Sequence, residues 1–270
     1  MTPVVSVTDL RMSYRLRDGS DLVALEGVSF SVDAGRSLAI VGQSGSGKTT
    51  CARIIAGIER QTSGSVELDG RPAAPSPRSR RDRKERARHV QMVFQDPYSS
   101  LDPRQTVRDA VEEVIAEHEP SKAARRRERA DELLDKVGLD ERIGLAKPTR
   151  LSGGQRQRVA IAKALAARPR LLILDEAVAA LDVSVQAQVI QLLSELRENE
   201  GLTYLFVSHD LGVVRQVSDD CIVMHRGRVV ESGATQEVLD DPQADYTRTL
   251  IGAVPRPGWR PRRHQREGAQ

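Results

Sequence analysis

The residues with the plainest chemical purpose are Gly42-Gln43-Ser44-Gly45-Ser46-Gly47-Lys48-Thr49. Glycines at this spacing let backbone N–H groups converge on phosphate oxygens, and a helix beginning at the lysine adds its partial positive charge. Lys48 would reach the outer phosphates, and the Thr49 hydroxyl is a hard oxygen ligand for a divalent cation. Such a motif is meaningful between a strand and a helix, and the apolar run Ser37–Val41 supplies the strand. Much further along, Asp175-Glu176 closes a second short apolar run, Leu171–Leu174. Carboxylates at the carboxyl end of a buried strand stand where open α/β sheets hold their ligands.

Other polar groups are delivered in the same way. His209 follows the apolar run Tyr204–Val207, and Gln95 ends the run His89–Phe94. A neutral amide can meet a cation or a water through its oxygen and release it without a change of charge. Leu151-Ser152-Gly153-Gly154-Gln155 joins a helix-capping serine to two glycines, leaving the donors of a helix start accessible. Tyr14 lies on the first predicted strand and, by position alone, reads as a half-buried strand tyrosine.

These groups need a scaffold. Val4–Leu16 alternates as a strand up to a turn at Asp18-Gly19, and Val28, Phe30 and Val32 share a face of the next strand, which predicts a small antiparallel lobe. Gly57 and Gly64 punctuate a helix exit and a short strand at Val66–Leu68. The stretch Arg71–Arg88 is basic but lacks base-stacking aromatics, so it reads as a surface loop and polar helix rather than a nucleic-acid site. Val107, Ala110, Val111, Val114 and Ile115 keep helical spacing, as do Ala130, Leu133, Leu134 and Val137, and together they predict a helical insertion. Arg125-Arg126-Arg127 reads as a solvated helix face. The helix after Gln155 would bury Val159, Ile161, Ala162 and Leu165 and close at Pro169. A further helix carries Val185, Val189, Leu193 and Leu196 as far as Gly201. Cys221–Met224 and Arg228–Glu231 flank a hairpin turn at Arg226-Gly227.

Within 270 residues, 39% hydrophobic content allows an ample core. No run reaches the roughly 20 apolar residues of a membrane span, and MTPVVSVTDL has no signal-peptide pattern, so a cytoplasmic location is expected. A net charge of +3 argues for no particular partner. Cys51 and Cys221 have no metal-ligand spacing and read as core thiols.

Taken in order, Gly42–Thr49, Gln95, Leu151–Gln155, Leu171–Asp182 and His209 resemble the Walker A, Q-loop, signature, Walker B with D-loop, and H-loop of ABC-type ATPases. FQDPYSSLDP at 94–103, DEAVAALDVSVQAQVI at 175–190 and DYTRTL at 245–250 are similar to the oligopeptide/dipeptide/nickel importer branch. The resemblance covers residues 4–255. It implies an α/β P-loop NTPase core with an N-terminal antiparallel β lobe and an inserted α-helical lobe at about 103–165, one ABC ATPase domain over 1–255, and a disordered basic tail at 256–270.

The same resemblance implies ATP and Mg²⁺ as cofactors and assigns roles. Tyr14, Gly42 through Lys48, Thr49 and Thr50 would hold ATP, and Thr49, Gln95 and Asp175 the metal. Glu176 would be the general base, assisted by His209 and Gln95. Ser152, Gly153, Gly154 and Gln155 would face the ATP of a second ATPase subunit, identical or homologous, with Asp182 at that contact. The chain would sit peripherally at the cytoplasmic face of the membrane against two permease subunits, with an extracytoplasmic solute-binding protein as an indirect partner. A soluble ABC ATPase of DNA repair or translation is the alternative; only the basic residues 78–88 speak for it. Two departures stand out: Ala177-Val178-Ala179 replaces the usual Pro-Thr-Ser after Walker B, and Lys163 replaces an arginine.

Overall fold

The computed structural model describes residues 2–75, 77, 79–96 and 101–253. Residues 97–100 of the FQDPYSSLDP segment, Arg78 of the basic stretch and the tail at 256–270 lie outside the described residues.

The chain opens as an antiparallel sheet of β1 (Val5–Arg15), β2 (Asp21–Val32), β4 (Ser63–Leu68) and β5 (Arg71–Pro72), in the order β2-β1-β4-β5. The second sheet contains β3 (Ser37–Val41), β6 (Val90–Val93), β7 (Leu171–Asp175), β8 (Thr203–Ser208), β9 (Asp220–His225) and β10 (Arg228–Ala234), in the order β10-β9-β3-β8-β7-β6. Only β10 runs antiparallel to its neighbour. It is joined to β9 by the turn at Arg226 (φ 47°) and Gly227 (φ 78°), the left-handed pair that a two-residue hairpin requires.

The alternation of side chains along the parallel strands divides the core in two. Leu172 and Leu174 face one cluster, with α3 (Val107–His118), α4 (Ala123–Lys136), α6 (Gly153–Ala166), α7 (Val183–Glu200) and α8 (Leu211–Val217). Leu171 and Ile173 face the other, with α1 (Lys48–Ala56) and the antiparallel sheet. Between β6 and β7, α3, α4, α5 (Glu141–Gly144) and α6 pack on one another, which is the predicted helical insertion. The last helices among the described residues are α9 (Thr235–Asp240) and α10 (Asp245–Gly252).

Several boundaries differ from those expected. The strand expected over His89–Phe94 is only Val90–Val93, because His89 ends α2 (Arg80–His89), a helix with a Ser79–Asp82 capping box. The helix α6 stops at Ala166, not at Pro169; Arg168 has already turned left-handed at φ 53°. The basic stretch is not wholly a solvated surface. Arg86 is 8% exposed, and its Nη2 donates to the Ile54 carbonyl at 3.2 Å, against the carbonyl end of α1.

Candidate active site

Strand order brings the chemical groups together. β3 lies between β9 and β8, with Val41 opposite both Val223 and Ser208. β8 pairs with β7, Asp175 opposite Val207, and β7 pairs with β6. Because these strands are parallel, the loop after Val41, the carboxylates after Leu174, His209 and Gln95 all emerge at one sheet edge.

The loop after β3 is wound around its own lysine. Lys48 Nζ donates to the carbonyls of Gly42 (2.8 Å) and Gln43 (2.9 Å), and Ser46 N–H donates to the Gln43 carbonyl at 3.2 Å. Gly42 adopts φ 151°, and a Cβ there would stand 2.3 Å from the Met224 carbonyl oxygen, so only glycine fits. Burial pushes the Lys48 ammonium below its usual range, while Glu176 and Asp175 pull it back up. The first turn of α1 has neither a side-chain cap nor an acidic residue, so its N–H groups remain available to an anion.

Thr49 Oγ1 donates to Asp175 Oδ1 at 3.0 Å. Burial raises the carboxyl of Asp175 above the ordinary carboxylate range; the Thr49 bond opposes this and neighbouring Glu176 adds to it. A hydroxyl and a carboxylate already in contact are the hard-oxygen set that suits Mg²⁺, whose other ligands would be phosphate and water. The residues therefore fit that ion.

Glu176 takes a different direction from its neighbour. Its φ is 47°, an unusual value for a side-chain-bearing residue, and its N–H donates to the Val207 carbonyl at 2.9 Å. The strand path breaks there, and Glu176 Oε1 lies 3.2 Å from His209 Nδ1. An ionised carboxylate only accepts, so Nδ1 carries the hydrogen of this bond. The adjacent carboxylates thus have separate partners, Thr49 and His209. Strain of this kind costs about 1–3 kcal/mol and concentrates at functional sites.

Gln95 is exposed just past β6, and Ser152–Gln155 begin α6. Among the described residues neither is hydrogen-bonded to Lys48, Thr49, Asp175, Glu176 or His209. Ser152 and Gln155 instead form a reciprocal capping box: Gln155 N–H donates to Ser152 Oγ at 3.2 Å and Ser152 N–H to Gln155 Oε1 at 2.9 Å. The S-x-x-Q spacing is the sequence signal for it. A Cβ on Gly154 would lie 2.3 Å from Val185 Cγ1, so this helix start packs closely on the segment led by Asp182, the N-cap residue of α7. The departures after Glu176 leave an intact turn: Ala177 and Val178 are buried, and Ala179 N–H donates to the Glu176 carbonyl at 3.1 Å.

Tyr14 is half-buried, with its hydroxyl donating to the carboxylate of Glu59, which also pairs with Arg53 at 3.2 Å. Sequence reasoning missed Glu59, because no local pattern links residues 45 apart. It also missed Tyr246, whose hydroxyl accepts from the Gln43 N–H at 3.2 Å.

A phosphate cradle at a helix start, backed by a hydroxyl of that helix paired with a carboxylate at the end of β7, defines the P-loop class of nucleoside triphosphatases. Within that class the chain belongs to the ABC transporter family, whose model matches residues 25–179. It is 40% identical to the oligopeptide transport ATP-binding protein OppF of Lactococcus lactis, over 94% of this chain and 81% of that one. It is equally 40% identical to the dipeptide transport ATP-binding protein DppF of Escherichia coli, over 94% and 77%. Its fold superposes on the dimeric post-hydrolysis structure of the ATP-binding cassette MJ0796 bound to ADP and Pi, with a TM-score of 0.77, 33% identity and coverage of 86% and 98%. The chain is thus an ABC-type ATPase, of the kind that hydrolyses ATP to drive transport.

Proposed function

We propose that this chain is the ATP-hydrolysing subunit of an importer for peptides, bound to the cytoplasmic face of the membrane through two permease subunits and paired with a second ATPase subunit. The observation that carries the reading is the 40% identity with peptide-transport ATP-binding proteins over 94% of the chain. Nickel is the other cargo class, and the soluble repair or translation alternative has no comparable support. No helix among the described residues is long and apolar enough to cross a membrane.

In this reading residues 1–255 act as one ATPase domain, with the helical lobe at about 103–165 as an insertion. Lys48 and the N–H groups from Ser44 to Thr50 hold the phosphates, and Tyr14 stacks on the base. Thr49 and Asp175 hold Mg²⁺, with Gln95 as a further ligand; the ion supplies charge neutralisation at the phosphates. Glu176, steered by His209, orients and deprotonates the attacking water. Ser152, Gly153, Gly154 and Gln155 offer helix-start donors to the ATP of the partner subunit, beside Asp182.

The test is to tag Glu176→Gln, trap it with ATP in its own cells and identify what copurifies after mild solubilisation. The variant should keep ATP binding and lose about 10²–10⁴-fold in hydrolysis. Two integral membrane proteins and a second ATPase should be recovered, and the accompanying solute-binding protein should take peptides in preference to Ni²⁺. Recovery of ribosomes, nucleic acid or soluble proteins alone would defeat the importer reading, and unimpaired turnover would defeat the role of Glu176.

A further inference from the structure

The C-terminal helix α10 touches the phosphate loop. Tyr246, in its first turn, accepts the Gln43 N–H at 3.2 Å, and its ring lies on that of His225, centroids 3.9 Å apart and planes 32° from parallel. His225 ends β9, the strand whose Val223 pairs with Val41 immediately before the loop. The helix is seated before it reaches the loop. The Glu231 carboxylate, on β10, accepts the backbone N–H groups of Gln243 (2.7 Å) and Ala244 (3.1 Å). Arg248 closes the approach by donating to the Pro242 carbonyl at 3.0 Å and to Asp245 at 2.6 Å.

Gln43 is the residue through which this contact acts. Its carbonyl receives both Lys48 Nζ and the Ser46 N–H, so its two flanking peptide groups organise the lysine and the bend of the loop. Tyr246 fixes the N–H side of the same residue. A hydroxyl on a ring clamped by His225 holds that position with little freedom to lose, which is how preorganisation favours a ligand.

We propose that Tyr246 is a positioning residue of the nucleotide site, through which the C-terminal helix sets the affinity of the phosphate loop for ATP. The proposal rests on reading residues 42–49 as the ATP cradle. Tyr246→Phe keeps the ring stack and deletes only the acceptor. In the full chain, the Kd and KM for ATP with Mg²⁺ should rise roughly two- to tenfold, the worth of one neutral hydrogen bond. The kcat at saturating ATP should stay unchanged, and the melting temperature without nucleotide should fall by no more than the few degrees that one hydrogen bond is worth. His225→Ala, which frees the ring while leaving the hydroxyl, should shift KM in the same direction. An unchanged Kd in Tyr246→Phe overturns the proposal, as does a higher Kd accompanied by a nucleotide-free melting temperature lower by about 10 °C or more, beyond the worth of one hydrogen bond and the mark of a merely structural role. Lys48→Ala separates the two readings: if it binds ATP normally, the assignment of the cradle fails rather than the part played by Tyr246.

Discussion

Gly154 offers a test of how closely the start of α6 is fitted to α7. A Cβ at this position would sit 2.3 Å from Val185 Cγ1, whereas ordinary contact begins at 3.4 Å, so Gly154→Ala forces the two helices to give by about 1 Å. Overpacking of this kind costs about 1–3 kcal/mol. Alanine is also the better helix former, by about 0.8–1.0 kcal/mol in a helix interior, so the net destabilisation should be about 0–2 kcal/mol. Val185→Ala removes the obstructing methyl. In that background Gly154→Ala should be neutral or stabilising, and the double-mutant cycle should show a coupling of about 1–3 kcal/mol. Urea unfolding of the four proteins measures this through the midpoint, provided the slope stays constant. In the proposed role of Ser152–Gly154 as donors to the partner's ATP, the same displacement moves them, and a misplacement of about 1 Å can lower turnover about 10²-fold, so hydrolysis should fall in Gly154→Ala and recover in the double variant. A coupling below about 0.5 kcal/mol, the usual limit of additivity, would refute the reasoning.

Burial gives Asp175 a raised pKa, so the folded chain binds this proton more readily than the unfolded chain does. Its contribution to stability therefore declines as pH rises from the ordinary aspartate value through the raised one. Asp175→Asn removes that loss: without nucleotide the variant should melt at or above the wild-type temperature at neutral pH while losing hydrolysis, and a lower melting temperature would contradict this account. Arg86 is buried against the end of α1, and burial lowers its guanidinium to about 10. Arg86→Ala forfeits a charge-assisted hydrogen bond and packing but relieves that desolvation, leaving a net loss of about 1–3 kcal/mol in urea unfolding. No loss would mean that the contact with Ile54 does no more than offset the desolvation of the guanidinium.

Much of the local structure was legible in the residues themselves. The strand Ser37–Val41, the turn at Arg226-Gly227, the caps at Ser152 and Gly201 and the buried faces of α3 and α4 are all marked by residue patterns within a few positions. The phosphate loop was equally plain, because glycines, lysine and threonine at fixed offsets leave few other uses. The strand ends at His89 and Phe94 and the helix end near Pro169 were misjudged, since capping competes there with the apolar pattern.

Sequence alone determined which side chains could do chemistry and on what kind of element each would stand. Tertiary structure decided which of them meet. Thr49 and Asp175 are 126 residues apart, and Gln43 and Tyr246 are 203 apart; they touch only because β3 is inserted between β8 and β9. The same holds for the buried Arg86, the contact of Gly154 with Val185 and the left-handed backbone of Glu176. Strand order and the close packing of distant helices are properties of the whole core, in which each contact is stabilised by all the others, and no short window of residues encodes them.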